Sequence, residues 1–493
     1  MRFLDSIIWI YIFFQSITID SQKCWDYFPI RKADINQTYI CPESMINDLV
    51  ELKKTLLEVH PNPYLYQEKG KFDFAYEQAI KAASTEKTMT EFAMIVSDFI
   101  NSIHDSHTNL NPRDILYMGY NRKMICPFNI VRIDSSFYLE KIYKNGLRVG
   151  TKIISFNSMS SDSLFRLSKR LCFIEGNAQD AQNEVATRLM GIVFNWVNKE
   201  NKIELAYVDT TGKKGTFACP MMEVKKTKKG RGWFDEDELT YFFDEKNRGI
   251  LIIKSFEAIS LRSFQKEVDA FFIEVRKRQT KEIYIDLRDN KGGLIRAQEY
   301  IMSYLNYTKK NHQINYLYKR SKYDRFSLLP FYQEWQFARM AKRAYPKGII
   351  SKEFDFYKSE MGTQMNILYD YLPKNRTNQT FDGECTLIMN GFSMSASAML
   401  AAWFKETQRG KIIGTPCMGT LSGTFGNAAV IFLENSRIPI SVSTLKFTPV
   451  KYEKIELEAV QPDQRIEYKL DDLIFHRDPV FQILQIRLPQ KFK

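Results

Sequence analysis

A chain of 493 residues that is 44% apolar and 14% aromatic can bury a large core and should hold two to four domains. Its formal charge of +12 comes from 70 Lys and Arg scattered among 58 Asp and Glu, with no dense basic block, which argues against a nucleic-acid partner. The seven cysteines (Cys24, Cys41, Cys126, Cys172, Cys219, Cys385 and Cys417) include no pair at zinc-ligand spacing, and there is no phosphate-binding glycine loop, so neither metal nor cofactor is expected.

Met1-Arg2 and the apolar Ile7–Ile17 have the form of a signal peptide over residues 1–22, too short for a membrane span. The expectation is an exported protein, periplasmic or extracellular, with no stable membrane insertion. Export permits disulfides, and Cys24–Cys41 or Cys126–Cys219 are plausible pairs. Asn36, Asn306, Asn375 and Asn378 stand in N-x-Thr sequons.

Residues 23–115 are expected to form a helical domain. Leu49, Leu52, Leu56 and Leu57 recur at helical spacing until His60-Pro61-Asn62-Pro63 ends the run. Two further helices, Phe72–Ser84 and Met89–Ile103, lead into a polar loop carrying His104 and His107. Residues 116–225 change character. Alternation at Phe128–Ile133 and Phe137–Ile142 predicts strands, a helix is expected over Gln179–Trp196, and strands resume at Lys202–Val208 and Gly215–Cys219. The run Lys225–Gly232 is a charged linker.

Residues 226–493 form the third unit. Gly249–Lys254 and Lys281–Leu287 are buried-type strands around an amphipathic helix, Ser260–Arg278, and a helix follows from Leu294. Tyr318–Thr380 has no clean period and suggests a lid or arm. Thr386–Met389, the turn Asn390–Met394, a helix entered at Ser395 and a strand at Lys411–Gly414 complete an alternation that argues a layered α/β fold with a largely parallel sheet. Parallel strands would put Arg288–Gly293 and Asn390–Ser395 on one sheet edge, where open α/β sheets bind ligands. A serine entering a helix can act as a nucleophile or simply cap the helix. Gly292 or Gly293 and Ala396 could supply oxyanion N–H donors. A serine nucleophile needs a base, and periodicity cannot choose among His60, His104, His107, His312 and His476.

The third unit resembles the tail-specific and tricorn-type serine peptidases. Asp286–Gly293 is similar to the family's D-L-R-x-N-x-G-G element, Ser393–Ser397 to its S-x-S-A-S turn, Gly414–Gly419 to the following G-x-x-x-x-G, and Glu456–Asp463 to its E-x-x-G-V-x-P-D element. Gly146–Asn157 resembles a PDZ-domain motif. The resemblance implies a ClpP/crotonase-like layered catalytic core behind a helical domain and a small β-rich PDZ-like domain. It implies a serine endopeptidase acting on peptides or unfolded proteins. Thr420 stands where family members with a Ser–Lys dyad carry the lysine, so the resemblance points to the tricorn-type plan: Ser395 as nucleophile, His107 of Asp105-Ser106-His107-Thr108 as base, Glu456 as supporting acid, and His104 and Glu458 as rivals. Ser106 and Ala459 replace glycines of the family pattern. The alternatives are a non-catalytic relative binding an apolar ligand or peptide, as in interphotoreceptor retinoid-binding protein, and an acyl-CoA enzyme of crotonase type.

Overall fold

The computed structural model describes residues 39–111, 124–141, 147–223 without 199 and 201, 239–257, 261–305, 312–323, 356–371 without 357, and 379–489 without 453. The expected signal peptide, Cys24, the charged linker, the four sequon asparagines and much of the expected arm lie outside these residues.

The chain opens with helices α1 (Pro42–Val59), α2 (Lys69–Ala82) and α3 (Met89–Asn101). In α1, Met45, Leu49, Leu52, Leu56 and Val59 form one buried stripe, as their three-and-four spacing requires, and Pro42 sits in the first turn where its missing N–H costs nothing. Thr88 and Glu91 close a capping box on α3, with Glu91 N–H donating to Thr88 Oγ1 and Thr88 N–H donating to Glu91 Oε2.

An antiparallel sheet follows: β1 (Ile130–Ile133), β2 (Ser136–Leu139), β3 (Lys152–Phe156), β4 (Lys202–Val208) and β5 (Lys214–Pro220), in that spatial order. Two helices interrupt it, α4 (Ser161–Arg170) and α5 (Gln179–Val197). Helix α4 is absent from the sequence reading. Its buried stripe, Ser161, Leu164, Phe165 and Ser168, holds just two apolar side chains, and Ser160 Oγ starts the helix by accepting from Ser163 N–H. The α1–α3 helices and this β-rich segment share one apolar cluster, which also takes in Met418, Ile431, Ile440 and Val442 from the third unit.

The third unit is built on β6 (Leu239–Phe243), β7 (Gly249–Ile253) and β8 (Glu282–Asp286), with α6 (Leu261–Lys277) between β7 and β8 and α7 (Ile295–Leu305) after β8. Strands β9 (His312–Lys319) and β10 (Gln364–Tyr371) form a hairpin. Next come β11 (Glu384–Met389), α8 (Ala396–Thr407), β12 (Lys411–Gly414), β13 (Thr424–Gly426), the pair β14 (Ala429–Phe432) and β15 (Pro439–Val442), β16 (Leu445–Pro449) and β17 (Gln464–Arg465). The central sheet runs β6-β7-β8-β11-β12-β17, parallel except for β6. Side chains alternate across β8. Ile283 and Ile285 join the helices α6, α7 and α8, while Tyr284 joins Val480, Phe481 and Ile486 of the C-terminal segment on the other face. The layered α/β core is therefore covered on both faces, which is why its strands are buried runs.

The hairpin β9–β10 occupies both ends of the stretch expected to be an arm. It extends a second sheet, β10-β9-β16-β13, and touches the N-terminal helices: Gln364 Nε2 donates to Pro61 O at 2.6 Å and Lys319 Nζ to His60 O at 3.2 Å. His312, one of the five candidate bases, begins β9 opposite Tyr371. Six described cysteines, Cys126 and Cys219 among them, are free thiols. Among the described residues no helix is long and apolar enough to cross a membrane.

Candidate active site

Strands β8 and β11 are parallel neighbours in register, Asp286 beside Ile388, so the loops after them leave the same sheet edge. The two loops are laced together. Met394 N–H donates to Asn290 O at 3.0 Å, Ser393 Oγ donates to Leu287 O at 2.8 Å, and Asp289 N–H donates to Asn390 Oδ1 at 3.0 Å. On the far side Met418 N–H donates to Ser393 O at 3.0 Å, tying the turn to the segment after β12.

Ser395 stands at the entry of α8 with φ 51° and ψ −119°, a conformation that L-residues avoid. Its side chain does not cap the helix, so the ordinary reason for a serine here does not hold. Among the described residues Ser395 Oγ has no hydrogen-bond partner. Gly292 packs directly against it: a Cβ there would lie 2.7 Å from Ser395 Cβ, 2.8 Å from Met394 O and 2.9 Å from Ala396 N, and Gly292 has φ +93°. Gly292 N–H is already given to Asn290 Oδ1 at 2.9 Å. Gly293 (φ +134°) and Ala396, at the first position of α8, have N–H groups with no partner among the described residues. Gly292→Ala is expected to cost about 1–3 kcal/mol of stability from strain and overpacking. It should also displace Ser395, and thermal melting read beside serine reactivity checks both effects.

The histidine loop lies between the N-terminal helices and the second sheet. Asp105 Oδ1 accepts from His107 N–H at 2.8 Å, and Asp105 Oδ2 accepts from fully buried His60 at 3.1 Å. Burial opposes charge on Asp105, but the hydrogen bond from His60, with His107 nearby, holds its carboxyl well below the usual range. His60 Nδ1 accepts from Asn62 N–H at 3.2 Å, so Nε2 carries the proton toward Asp105. Thr108 Oγ1 accepts from Ser443 N–H, and Asn109 pairs with Ser441 of β15, fixing the loop from its other end.

Sequence reasoning did not find Glu175. Its side chain is fully buried. Oε1 accepts from Tyr66 O–H at 2.9 Å and Phe425 N–H at 3.1 Å, and lies 3.3 Å from Lys446 Nζ. Oε2 accepts from Ser106 Oγ at 3.0 Å and Thr424 Oγ1 at 3.2 Å. Ser106 Oγ also lies 3.1 Å from His107 Nδ1. A carboxylate can only accept, so the one hydroxyl proton of Ser106 goes to Glu175. Ser106 Oγ then accepts from His107, which puts the imidazole proton on Nδ1 and leaves Nε2 as the basic nitrogen. His107 Nε2 has no partner among the described residues, and no hydrogen bond joins it to Ser395 there. The signal available in sequence was a lone acid in Phe173-Ile174-Glu175-Gly176, an apolar setting in which a carboxylate must be partnered. Asp105, His107 and Glu175 bring ligand-type atoms within 4.8 Å of one another, but the carboxylate oxygens are already committed to these bonds, which a metal would have to displace.

The other nominated residues are placed differently. His104, at φ 59°, is bonded through Nδ1 to Gly176 O at 2.8 Å. His476 is exposed after a short C-terminal helix. Glu456 is exposed, and its backbone N–H donates to Ser422 Oγ at 2.6 Å. Glu458, also exposed, lies 3.4 Å from Asn177 Nδ2. Lys405 pairs with Asp463, whose Oδ2 accepts from Ile412 N–H at 2.7 Å, so this motif aspartate fastens the edge of β12. Thr420 donates to Gly423 O at 3.2 Å.

Solved structures resemble the fold, two of them as follows. Mature CPAF aligns at 12% identity over 88% of this chain and 94% of its own, with a TM-score of 0.60. Mature CPAF complexed with lactacystin aligns at 13% identity over 88% and 95%, with a TM-score of 0.61. At such identities the likeness speaks for the fold. No curated protein sequence matches the chain. The family model of peptidase family S41 matches residues 247–466, a span that contains both strand-end loops, Ser395 and the Glu456–Asp463 element. Residues 247–466 are thus similar to peptidase family S41.

Proposed function

We propose that the chain is a serine endopeptidase that hydrolyses peptide bonds in peptides or unfolded proteins, without a cofactor. Ser395 Oγ attacks the carbonyl carbon, and its proton passes to His107 Nε2. The tetrahedral oxyanion is held by the N–H groups of Gly293 and Ala396. Collapse of the intermediate breaks the C–N bond, His107 returns the proton to the leaving amine, and water then releases the acyl group from Ser395 by the same route. Gly292 acts by letting the loop close on Ser395. The acid that fixes the imidazole is Glu175, acting through Ser106. The family motif nominates Glu456 instead, and the two assignments give opposite mutational results. An exported site of action belongs to the same proposal and rests on residues 1–22.

The observation that carries this reading is the uncapped, strained Ser395 with the Gly292 backbone pressed against it. The apolar-ligand alternative does not account for that strain. A fluorophosphonate probe tests the proposal. The expected outcome is one covalent adduct, placed on Ser395 by peptide mass mapping. A folded chain that takes up no probe yet binds an apolar ligand would make the binder the better reading.

A further inference from the structure

Helix α5 lies against the serine turn and touches it through side chains that the reaction scheme leaves unused. Glu184 Oε2 accepts from Gly391 N–H at 2.9 Å, and Glu184 Oε1 accepts from Asn390 Nδ2 at 3.0 Å. The approach is close: a Cβ on Gly391 would lie 2.7 Å from Glu184 Oε2 and 2.8 Å from Ala181 Cα. One helical turn later Arg188 pairs with Asp289 at 2.9 Å and covers the Phe392 ring at 4.2 Å. Asn390 is the hub of the two strand-end loops, since its Oδ1 also accepts from Asp289 N–H and Phe392 N–H.

We propose that Glu184 is a positioning residue for the nucleophile, a role that rests on the peptidase reading above. A backbone as strained as that of Ser395 persists only where its surroundings over-determine it. The Asn290, Leu287 and Met418 bonds hold the turn from within the core domain. Glu184 holds it from outside, from a helix of the β-rich segment, so the geometry of the serine depends on how that segment docks.

The charges facing Glu184 are Arg188 on its own helix and Asp289 and Arg288 from the strand-end loop. Burial pushes its carboxyl up to about 7, against the pull of Arg188, although 32% of the side chain still meets solvent. Below that pH the carboxyl binds a proton. One of its oxygens then faces the turn as a donor, against groups that are themselves donors, and the turn loosens. The acid limb of the activity profile thus carries the protonation of Glu184. In Glu184→Gln the amide presents a donor at every pH, so its acid limb should carry one proton fewer.

The experiment compares the full chain with Glu184→Ala and Glu184→Gln on a dye-quenched unfolded protein, and reads amide hydrogen exchange of the peptide spanning 389–394 in parallel. Glu184→Ala is expected to lower kcat about 100-fold, the scale of a 1 Å misplacement, with little change in KM. Its 389–394 amides should exchange about tenfold faster. Glu184→Gln should show a smaller loss and the shallower acid limb, and it carries the test if the alanine variant does not fold. Exchange and kcat both at parental values would overturn the proposal, as would faster exchange with kcat unchanged. A parent chain without hydrolysis would sink the peptidase reading, while exchange would still decide whether Glu184 holds the turn.

Discussion

A Ser395→Ala chain is expected to lose hydrolysis by about 10⁴- to 10⁶-fold in kcat, with KM and thermal stability near the parent's. His107→Ala should lose a similar amount, and the double variant little more than either, because a nucleophile without its base and a base without its nucleophile do the same residual work. Steady-state kinetics on one peptide substrate checks all three. Additive losses would mean that the two residues do not act on one proton. The stability half of this prediction matters as much. Ser395 Oγ has no hydrogen bond among the described residues, so alanine removes nothing that the fold uses. A large drop in melting temperature would show that the hydroxyl serves the fold after all.

What the sequence made legible follows from which signals are local. The strands Lys281–Leu287 and Thr386–Met389 are short apolar runs, each bounded by a turn, and their parallel pairing follows from the helices between them. The shared sheet edge could therefore be deduced, and β8 and β11 lie side by side as expected. Gly292 was legible for the same reason: a glycine pair after a strand admits a close backbone approach, and Ser395 is what approaches. The hairpin β9–β10 was not, because its two strands are separated by 44 residues and pair with each other and with β16, so no local period marks them. Glu175 and Lys446 were hidden differently. Each is a charged residue in a local setting that looks apolar, Phe173–Gly176 and Leu445–Phe447, and a charge survives there only because the other arrives from 271 residues away. Sequence pattern finds faces. It does not find partners that the tertiary fold alone brings together.

That buried pair supplies the second large effect. Glu175→Ala removes the carboxylate that faces Lys446, Tyr66, Ser106 and Thr424 at once, leaving a lysine 3% exposed without its counter-charge. Breaking one half of a buried pair costs about 3–5 kcal/mol, and chemical denaturation should show it. Glu175→Gln separates this structural role from the proposed one. The amide can keep the acceptors toward Tyr66 and Phe425, but its Nε2 faces Ser106 as a donor. Ser106 then turns its hydroxyl proton to His107 Nδ1, and the imidazole proton moves to Nε2, the nitrogen that must receive the serine's proton. The expected loss is about 10⁴-fold in kcat, with KM nearly unchanged, the size of effect that a wrong imidazole tautomer produces in serine peptidases. Glu456→Gln, at an exposed side chain, should change kcat by no more than a few-fold. If the two results are exchanged, the acid belongs to the late motif, and Glu175 is a structural counter-ion for Lys446. If both variants keep parental kcat, His107 works without a carboxylate, and the Ser106 bridge has no catalytic meaning.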